Sequence, residues 1–428
     1  MTVVTAPVGP TRLLDTSGTA DVVGLDAHLA RWGALPDLRP AALLDVVDQS
    51  GLRGHGGAWF PVGIKWRAVA RSGRSKPVVV ANGAEGEPGS GKDRFLLHHS
   101  PHLVLDGASV AARAVGANRV VVHVTPGSVS GIEQALADRT RQGLDTCAFE
   151  IVVAPDRFLA GQESAAVATI NGKNPGIPTF IGIRTIRDQG VAGRPTLVQN
   201  VETLAHVALI ARFGPQWFRS VGTDESAGTA LVTVTGRWDA PRIVEVPLGS
   251  TLGNALGIDA EAEAARSIQG VLLGGYGGGW LPTSTAMSMP FTEEAARSHG
   301  SSIGAGVAIL LPSGVCPIAE CARVVRYMEG EGAGQCGPCV NGLDLLATSM
   351  EHLAYRPRSL HGGLAALPTL CGLVEGRGAC RHPDGVARFV RTAIEVFADH
   401  ANLHLSRGPC QTGQPFLSVP GRSSGGSR

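Results

Sequence analysis

The sequence predicts an α/β protein in three parts: a parallel-sheet domain, a small β-rich module and a C-terminal helical bundle. Three observations carry this reading. Between residues 77 and 153, apolar runs of strand length alternate with helix-spaced runs, the pattern of repeated βαβ units and a right-handed parallel sheet. From Gly228 the texture changes to strictly alternating segments, and after Leu311 apolar residues recur at helical spacing.

Composition narrows the function classes. A chain of 428 residues exceeds the usual single domain, and its net charge of +1 leaves no basic footprint for nucleic acid. There is no secretory leader and no apolar run long enough to enter a bilayer, so the expectation is a cytoplasmic protein that at most docks on the periphery of a membrane complex. The 58 glycines and 27 prolines imply many ligand-facing turns. Eight cysteines in such a chain point to metal or redox chemistry rather than disulfides. Cys147 reads as a core residue; the other seven lie between Cys316 and Cys410.

Taken in order, residues 1 to about 25 read as a loosely ordered lead-in. A helical stretch around residues 43–47 runs into GLRGHGGAWFPVGIKW, residues 51–66, where five glycines permit close approach of backbone N–H groups to a ligand. Such a loop forms an anion-binding nest, with Lys65 as a point charge and Phe60 or Trp59 as a flat apolar wall. A helix resumes at 65–69, and a buried strand at 77–81 ends in ANGAEGEPGSGKDR, the strand edge where α/β sheets bind ligands. Helix 103–115, strand 119–124, helix 128–141 and strand 149–153 complete two βαβ units. FLAGQESAAVA turns at Gly161 and places Gln162 and Glu163 at a helix start; TIRDQ looks like an antiparallel strand; GRPTLVQNVETL puts Gln199, Asn200, Glu202 and Thr203 at the start of a helix running through Ile210. ALVTVTGRW and RIVEVPLG read as a hairpin, followed by a short helix, a strand VLLGGYGGGWLP and a closing strand at 303–311, which together fit a β-grasp module. Three apolar stripes then mark a helical bundle containing a continuous last helix over about 384–405. The expected division is 26–225 for a Rossmann-like α/β domain, 226–312 for the β-grasp domain, 313–412 for the bundle and 413–428 for a disordered tail.

In order, these motifs resemble the NADH- and FMN-binding flavoprotein subunit of bacterial NADH:quinone oxidoreductase, respiratory complex I, and the diaphorase subunits related to it. The resemblance spans roughly residues 45 to 400. It implies FMN held by Gly54, Gly56, Gly57, Phe60 and Lys65, with Asn82, Glu85, Gly161, Gln199, Asn200 and Thr203 completing the flavin site. It further implies NAD(H) as hydride donor beside Glu163, and other redox subunits or a ferredoxin-like protein as partners. The chain departs from the pattern at several places. Ala84, Ala160 and Gln162 replace two carboxylates and a Cys, Ala68 replaces an aromatic, and a Pro- and Lys-rich stretch is reduced to GIPTFI. The FMN half of the site is thus better preserved than the NADH half, which motivates two alternatives: a protein donor or acceptor without an NADH site, or a non-catalytic scaffold.

The family pattern for a [4Fe–4S] cluster is C-x2-C-x2-C with a fourth Cys about 40 residues on. Here Ala333 stands first, leaving Cys336 and Cys339. A C-x2-C pair alone also suits zinc or a redox pair, but a following helical bundle with more cysteines favours an iron–sulfur cluster. Cys371 and Cys380 are the expected further ligands, with Cys410 as the substitute for Cys371 if the tail folds back.

Overall fold

Four short apolar runs pair in parallel: β1 (Val78–Gly83), β2 (Arg119–Val124), β3 (Ala148–Val153) and β4 (Thr196–Asn200), in the order β3-β2-β1-β4. The structure, a computed structural model, describes residues 11–14, 22–72, 75–178, 185–236, 238–259, 266–410 and 414–420. Period-two alternation divides the buried sheet into two apolar faces. Val79, Ala81, Val120, Val122 and Leu197 join the large core that includes helices Pro101–Val115 and Val201–Phe213, whereas Val78, Val80, Val121 and Val198 meet Val167 and Val191. β4 differs from the expectation, which gave Gln199 and Asn200 to a helix: they end a strand, and the helix begins only at Val201. A five-residue run carries too little periodicity to stand apart from the helix that follows it. TIRDQ is a turn, not a strand.

The two helices over this sheet cross almost backbone to backbone. A Cβ added at Gly107 would lie 1.9 Å from the Leu204 carbonyl oxygen, so only glycine permits the crossing.

A second sheet has the order β6-β5-β9-β7-β8, from β5 (Thr229–Thr235), β6 (Arg242–Pro247), β7 (Ile268–Leu273), β8 (Gly279–Leu281) and β9 (Val307–Pro312). β5 pairs in parallel with β9 at its centre, and the remaining pairs are antiparallel. VLLGGYGGGWLP is therefore two strands around a glycine turn. One face of this sheet covers helices Leu252–Leu256 and Thr283–Ser288; on the other, Leu231 and Ile243 join the first core, while Leu272, Ile309 and Leu311 join the core of the C-terminal helices.

Those helices are Pro317–Gly330, Leu343–Tyr355, Ala366–Val374, His382–Val396 and Ala398–Arg407. The expected continuous last helix is broken at Phe397, whose φ of -107° and ψ of 28° leave helical geometry. Its ring packs against Trp280, 5.0 Å between centroids.

Both chain ends are tied down where they are described. The backbone N–H groups of Arg12, Leu13 and Leu14 all donate to the Glu245 carboxylate at 2.8–3.2 Å, in place of a loose lead-in. Residues 414–420, expected to be disordered, pack instead: Leu417 is buried and its N–H donates to Glu320 Oε2 at 2.7 Å. The remainder of the expected lead-in and tail, with part of GIPTFI, lies outside the described residues.

Glu87 clasps the two sheets, accepting from the N–H of Tyr276 at 2.9 Å. Burial pushes its carboxyl up to about 8, against the lowering effect of the Tyr276 and Gly89 N–H groups. Folded Glu87 therefore keeps a proton that the unfolded chain releases above the ordinary carboxyl range. Stability should decline as pH rises from about 4.5 towards 8, by an amount on the order of a few kcal/mol. Glu87→Gln should flatten that decline in urea unfolding curves, and an unchanged pH slope would count against the clasp. Gly107→Ala should lower unfolding free energy by about 2 kcal/mol or more, and a neutral result in the same assay would rule out the close crossing.

Candidate functional site

The C-terminal edge of the parallel sheet gathers most of the expected residues. Register aligns Asn82 of β1 with Asn200 of β4 and His123 of β2. Asn82 Nδ2 donates to the Gly161 carbonyl at 2.8 Å. Asn200 accepts from the N–H of Glu202 at 3.0 Å, capping the helix it precedes, while its Nδ2 donates to Asp93 at 2.7 Å.

The glycine loop hangs on β4 and this helix. Trp66 Nε1 donates to Gln199 Oε1 at 3.1 Å, and His55 N donates to Thr203 Oγ1 at 2.9 Å. An added Cβ at Gly56 would come 3.2 Å from Asn200 Cβ, and one at Gly54 3.6 Å from Gln199 Nε2. Gly57, at φ 109°, faces open space. Trp59 is buried and donates to Gly304 O of the second sheet's closing turn at 3.2 Å, so it tethers the loop; Phe60 is 50% exposed and is the ring left free to form a wall.

The GQES segment closes on this loop. Lys65 Nζ donates to Glu163 Oε1, and both side chains remain partly open, 28% and 46% exposed. Gln162, standing where the resemblance has a carboxylate, accepts from the N–H groups of Ser164 and Ala165 and caps helix Glu163–Ile170. Gly161 and Gly86 are close-approach positions: a Cβ on the first would meet Ala84 O at 2.4 Å, and on the second Phe158 O at 2.4 Å. Glu85 turns inward and accepts from the N–H groups of Asp93 and Arg94 at 3.1 and 3.2 Å, organising the start of helix Lys92–His99.

Beneath lies a charged cluster that sequence reasoning missed. Lys92 is 2% exposed and lies 2.8 Å from both Asp93 and Glu202. Burial alone would lower the pKa of its ammonium, but the two carboxylates more than offset this and raise it. Asp93 is pushed up to about 6 by burial, with Lys92 opposing. The signal was present as the KDR that ends the acidic turn, a lysine beside an aspartate in an otherwise small-residue stretch.

The cysteines separate into groups. Cys339 sits in a π-helical turn, Pro338–Gly342, at the entrance to helix Leu343–Tyr355. Its thiol is pushed up to about 12, first by burial, then by neighbouring Cys336, with Cys380 adding to the effect. Cys380 in turn senses Cys336. Cys371, expected beside them, points into the core from helix Ala366–Val374, where its charged neighbours are Arg391 and Glu375. Helical periodicity turns it towards the same buried face as Val374. Cys410, its substitute, contacts His400 and His404 instead.

Among the described residues no helix is long and apolar enough to cross a membrane. Residues 47–209 match the model of the Nuo51 FMN-binding domain, and residues 319–404 that of the NADH-ubiquinone oxidoreductase-F iron-sulfur binding region. The chain is 29% identical over 393 residues to an F-type subunit of NADH-quinone oxidoreductase of Rhizobium meliloti, covering 88% of this chain and 92% of the relative. It is 29% identical over 394 residues to the F-type subunit of the same enzyme in Mycobacterium bovis, covering 87% and 86%. Among solved structures it is similar to a chain of an NAD+-reducing [NiFe]-hydrogenase in the H2-reduced state, with a TM-score of 0.72 and 30% identity over 86% of this chain. It spans only 63% of the length of that hydrogenase chain. With one matched region falling on the sheet-edge site and the other on the cysteine-bearing helices, the chain belongs to the family of F-type subunits of NADH-quinone oxidoreductase.

Proposed function

We propose that the chain is an electron-transfer flavoprotein subunit that oxidises NAD(P)H at FMN and passes electrons singly, through an iron–sulfur cluster, to another redox subunit or a ferredoxin-like protein. The observation that carries this is the convergence of the glycine loop, Asn82, Asn200 and the Lys65–Glu163 pair at one edge of the parallel sheet, inside the region matched to an FMN-binding domain. Bound FMN supplies the chemistry, accepting a hydride and releasing electrons one at a time.

The residues present fit that group. Gly54 and Gly56 keep the loop backbone bare and close to the side chains of Gln199 and Asn200, and Gly57 leaves it open to space, as a phosphate and a neutral polar ring require. Lys65 offers a cation, Phe60 an exposed ring, and Asn82 at the end of β1, bonded to Gly161 of the facing turn, offers amide and carbonyl groups. Glu85 acts through helix Lys92–His99 and Thr203 through the His55 N–H, so both support the site from beneath. Glu163, held by Lys65 yet 46% exposed, is read as the side chain that orients a nicotinamide nucleotide.

For the cluster, the proposed protein ligands are Cys336, Cys339 and Cys380, with the Ala333 methyl where the family pattern has a fourth thiol. The second sheet is read as a β-grasp module, supported by its central parallel pair between β5 and β9, each flanked by an antiparallel neighbour. The proposed units remain 26–225, 226–312 and 313–412. A second reading, a protein donor in place of NAD(P)H, is favoured by one observation: Gln162 is committed to capping its helix and offers a nucleotide no carboxylate.

Protein reconstituted with FMN should bleach on adding NADH, and Glu163→Ala should lose kcat/KM by about 10-fold or more while keeping its flavin spectrum. Bound flavin without bleaching would favour the protein donor, and a colourless protein would refute flavin binding. In anaerobic reconstitution, Cys380→Ser should lose its iron and EPR signal and Cys371→Ser should keep both. Iron lost from Cys371→Ser would restore that residue as a ligand.

A further inference from the structure

Four side chains that play no part in the flavin and cluster sites meet near the end of the chain. Cys316 caps the N-terminus of helix Pro317–Gly330. His400 and His404, one turn apart, share a face of helix Ala398–Arg407. Cys410 follows that helix after Gly408, whose φ of 92° turns the chain back. Their four ligand atoms all lie within 4.8 Å of one another.

The separations match one small ion. Cys316 Sγ is 3.6 Å from His400 Nε2 and 3.5 Å from His404 Nε2; Cys410 Sγ is 3.5 Å and 3.1 Å from the same two atoms. Tetrahedral zinc, with Zn–S about 2.3 Å and Zn–N about 2.0–2.1 Å, holds sulfur and nitrogen ~3.5 Å apart. An independent feature points the same way. His404 Nδ1 faces the Leu353 carbonyl at 3.1 Å, so the proton belongs there and Nε2 carries the lone pair, which in the unloaded site accepts from the Cys410 N–H at 3.4 Å. That backbone carbonyl on the second ring nitrogen is the usual support of a metal-bound histidine. Cys316 Sγ is fixed in place by the Ala319 N–H, which donates to it at 3.4 Å at the start of helix Pro317–Gly330.

We propose that Cys316, His400, His404 and Cys410 form a structural zinc site, separate from the iron–sulfur cluster, that ties the last helix and the turn after it to the start of helix Pro317–Gly330. Two thiolates and two imidazoles in tetrahedral array select zinc over hard cations and leave no open position for substrate. Zinc replaces the two thiol protons and joins two segments 84 to 94 residues apart in sequence.

The test is metal analysis of the full chain, isolated anaerobically. Wild type should carry about one zinc per chain in addition to its iron. Cys410→Ser and His404→Gln should each lower zinc to below about a tenth per chain with iron unchanged, and Cys380→Ser should do the reverse. Cys410→His keeps a zinc-binding donor and should retain the metal, which separates ligand loss from misfolding. Cobalt in place of zinc should show thiolate charge-transfer and tetrahedral d–d bands that vanish in Cys410→Ser. Wild-type protein without zinc, an intact mass lowered by the two hydrogens of a Cys316–Cys410 disulfide, or iron lost with Cys410 would each overturn the proposal.

Discussion

Lys92 lies buried between Asp93 and Glu202, 2.8 Å from a carboxylate oxygen of each, and both sheets are arranged about that ammonium. Glu202 reaches in two further directions, accepting from Leu231 N of β5 at 2.8 Å and pairing with His55 Nδ1 of the glycine loop at 3.1 Å. Gly91 N, at the start of the same helix as Lys92, donates to Thr233 Oγ1 of β5 at 3.1 Å. A buried charge left without its partner costs about 3–5 kcal/mol, so helix Lys92–His99, helix Val201–Phe213, the loop and β5 must arrive together. The cluster also reaches the site, because Asp93 holds the Asn200 amide at the sheet edge.

Glycine sets how near the parts of the site come. At Gly161 and Gly86 a side chain would collide with the backbone of the facing turn, so the two turns that flank the sheet edge touch without intervening atoms. At Gly56 the limit is softer, a 3.2 Å approach to Asn200. Trp59 adopts a φ of 53°, uncommon for a bulky residue, and its ring is buried against the second sheet. The anchoring of Trp59 and the openness at Gly57 divide the loop into a fixed half and an open half.

Among the C-terminal helices, geometry sorts the thiols. Cys336 and Cys339 stand at a π-helical turn, a local widening often found where a helix carries function. Cys380 stands just before helix His382–Val396, near enough to Cys336 to feel its charge. Cys410 lies beyond both that helix and Ala398–Arg407, in contact with His404. Cys371, nearer Cys380 along the chain than either Cys336 or Cys339 is, lies fully buried in the core of these helices.

The sequence by itself determined the α/β architecture, the hairpin, the helical C-terminus and the family. Each rests on local periodicity or on an ordered set of short motifs, and both survive without knowledge of contacts. Its motifs also led to the expectation, through the family resemblance, that Asn82, Asn200, Lys65 and the glycines share one site. Only the tertiary structure decided that Thr196–Asn200 is a strand, since five residues carry no period and pairing with β1 makes the assignment. Only it showed that Glu85 and Thr203 are spent on backbone N–H groups, and that Lys92 and Glu202 are paired although 110 residues separate them. The H-x3-H spacing of His400 and His404 was there to be read, but a metal site needs ligands from elsewhere in the chain, and Cys316 is brought to them only by the packing of helices. Local signals are written along one segment. Charge pairing and ligand convergence depend on distances between segments, which exist only once the chain has folded.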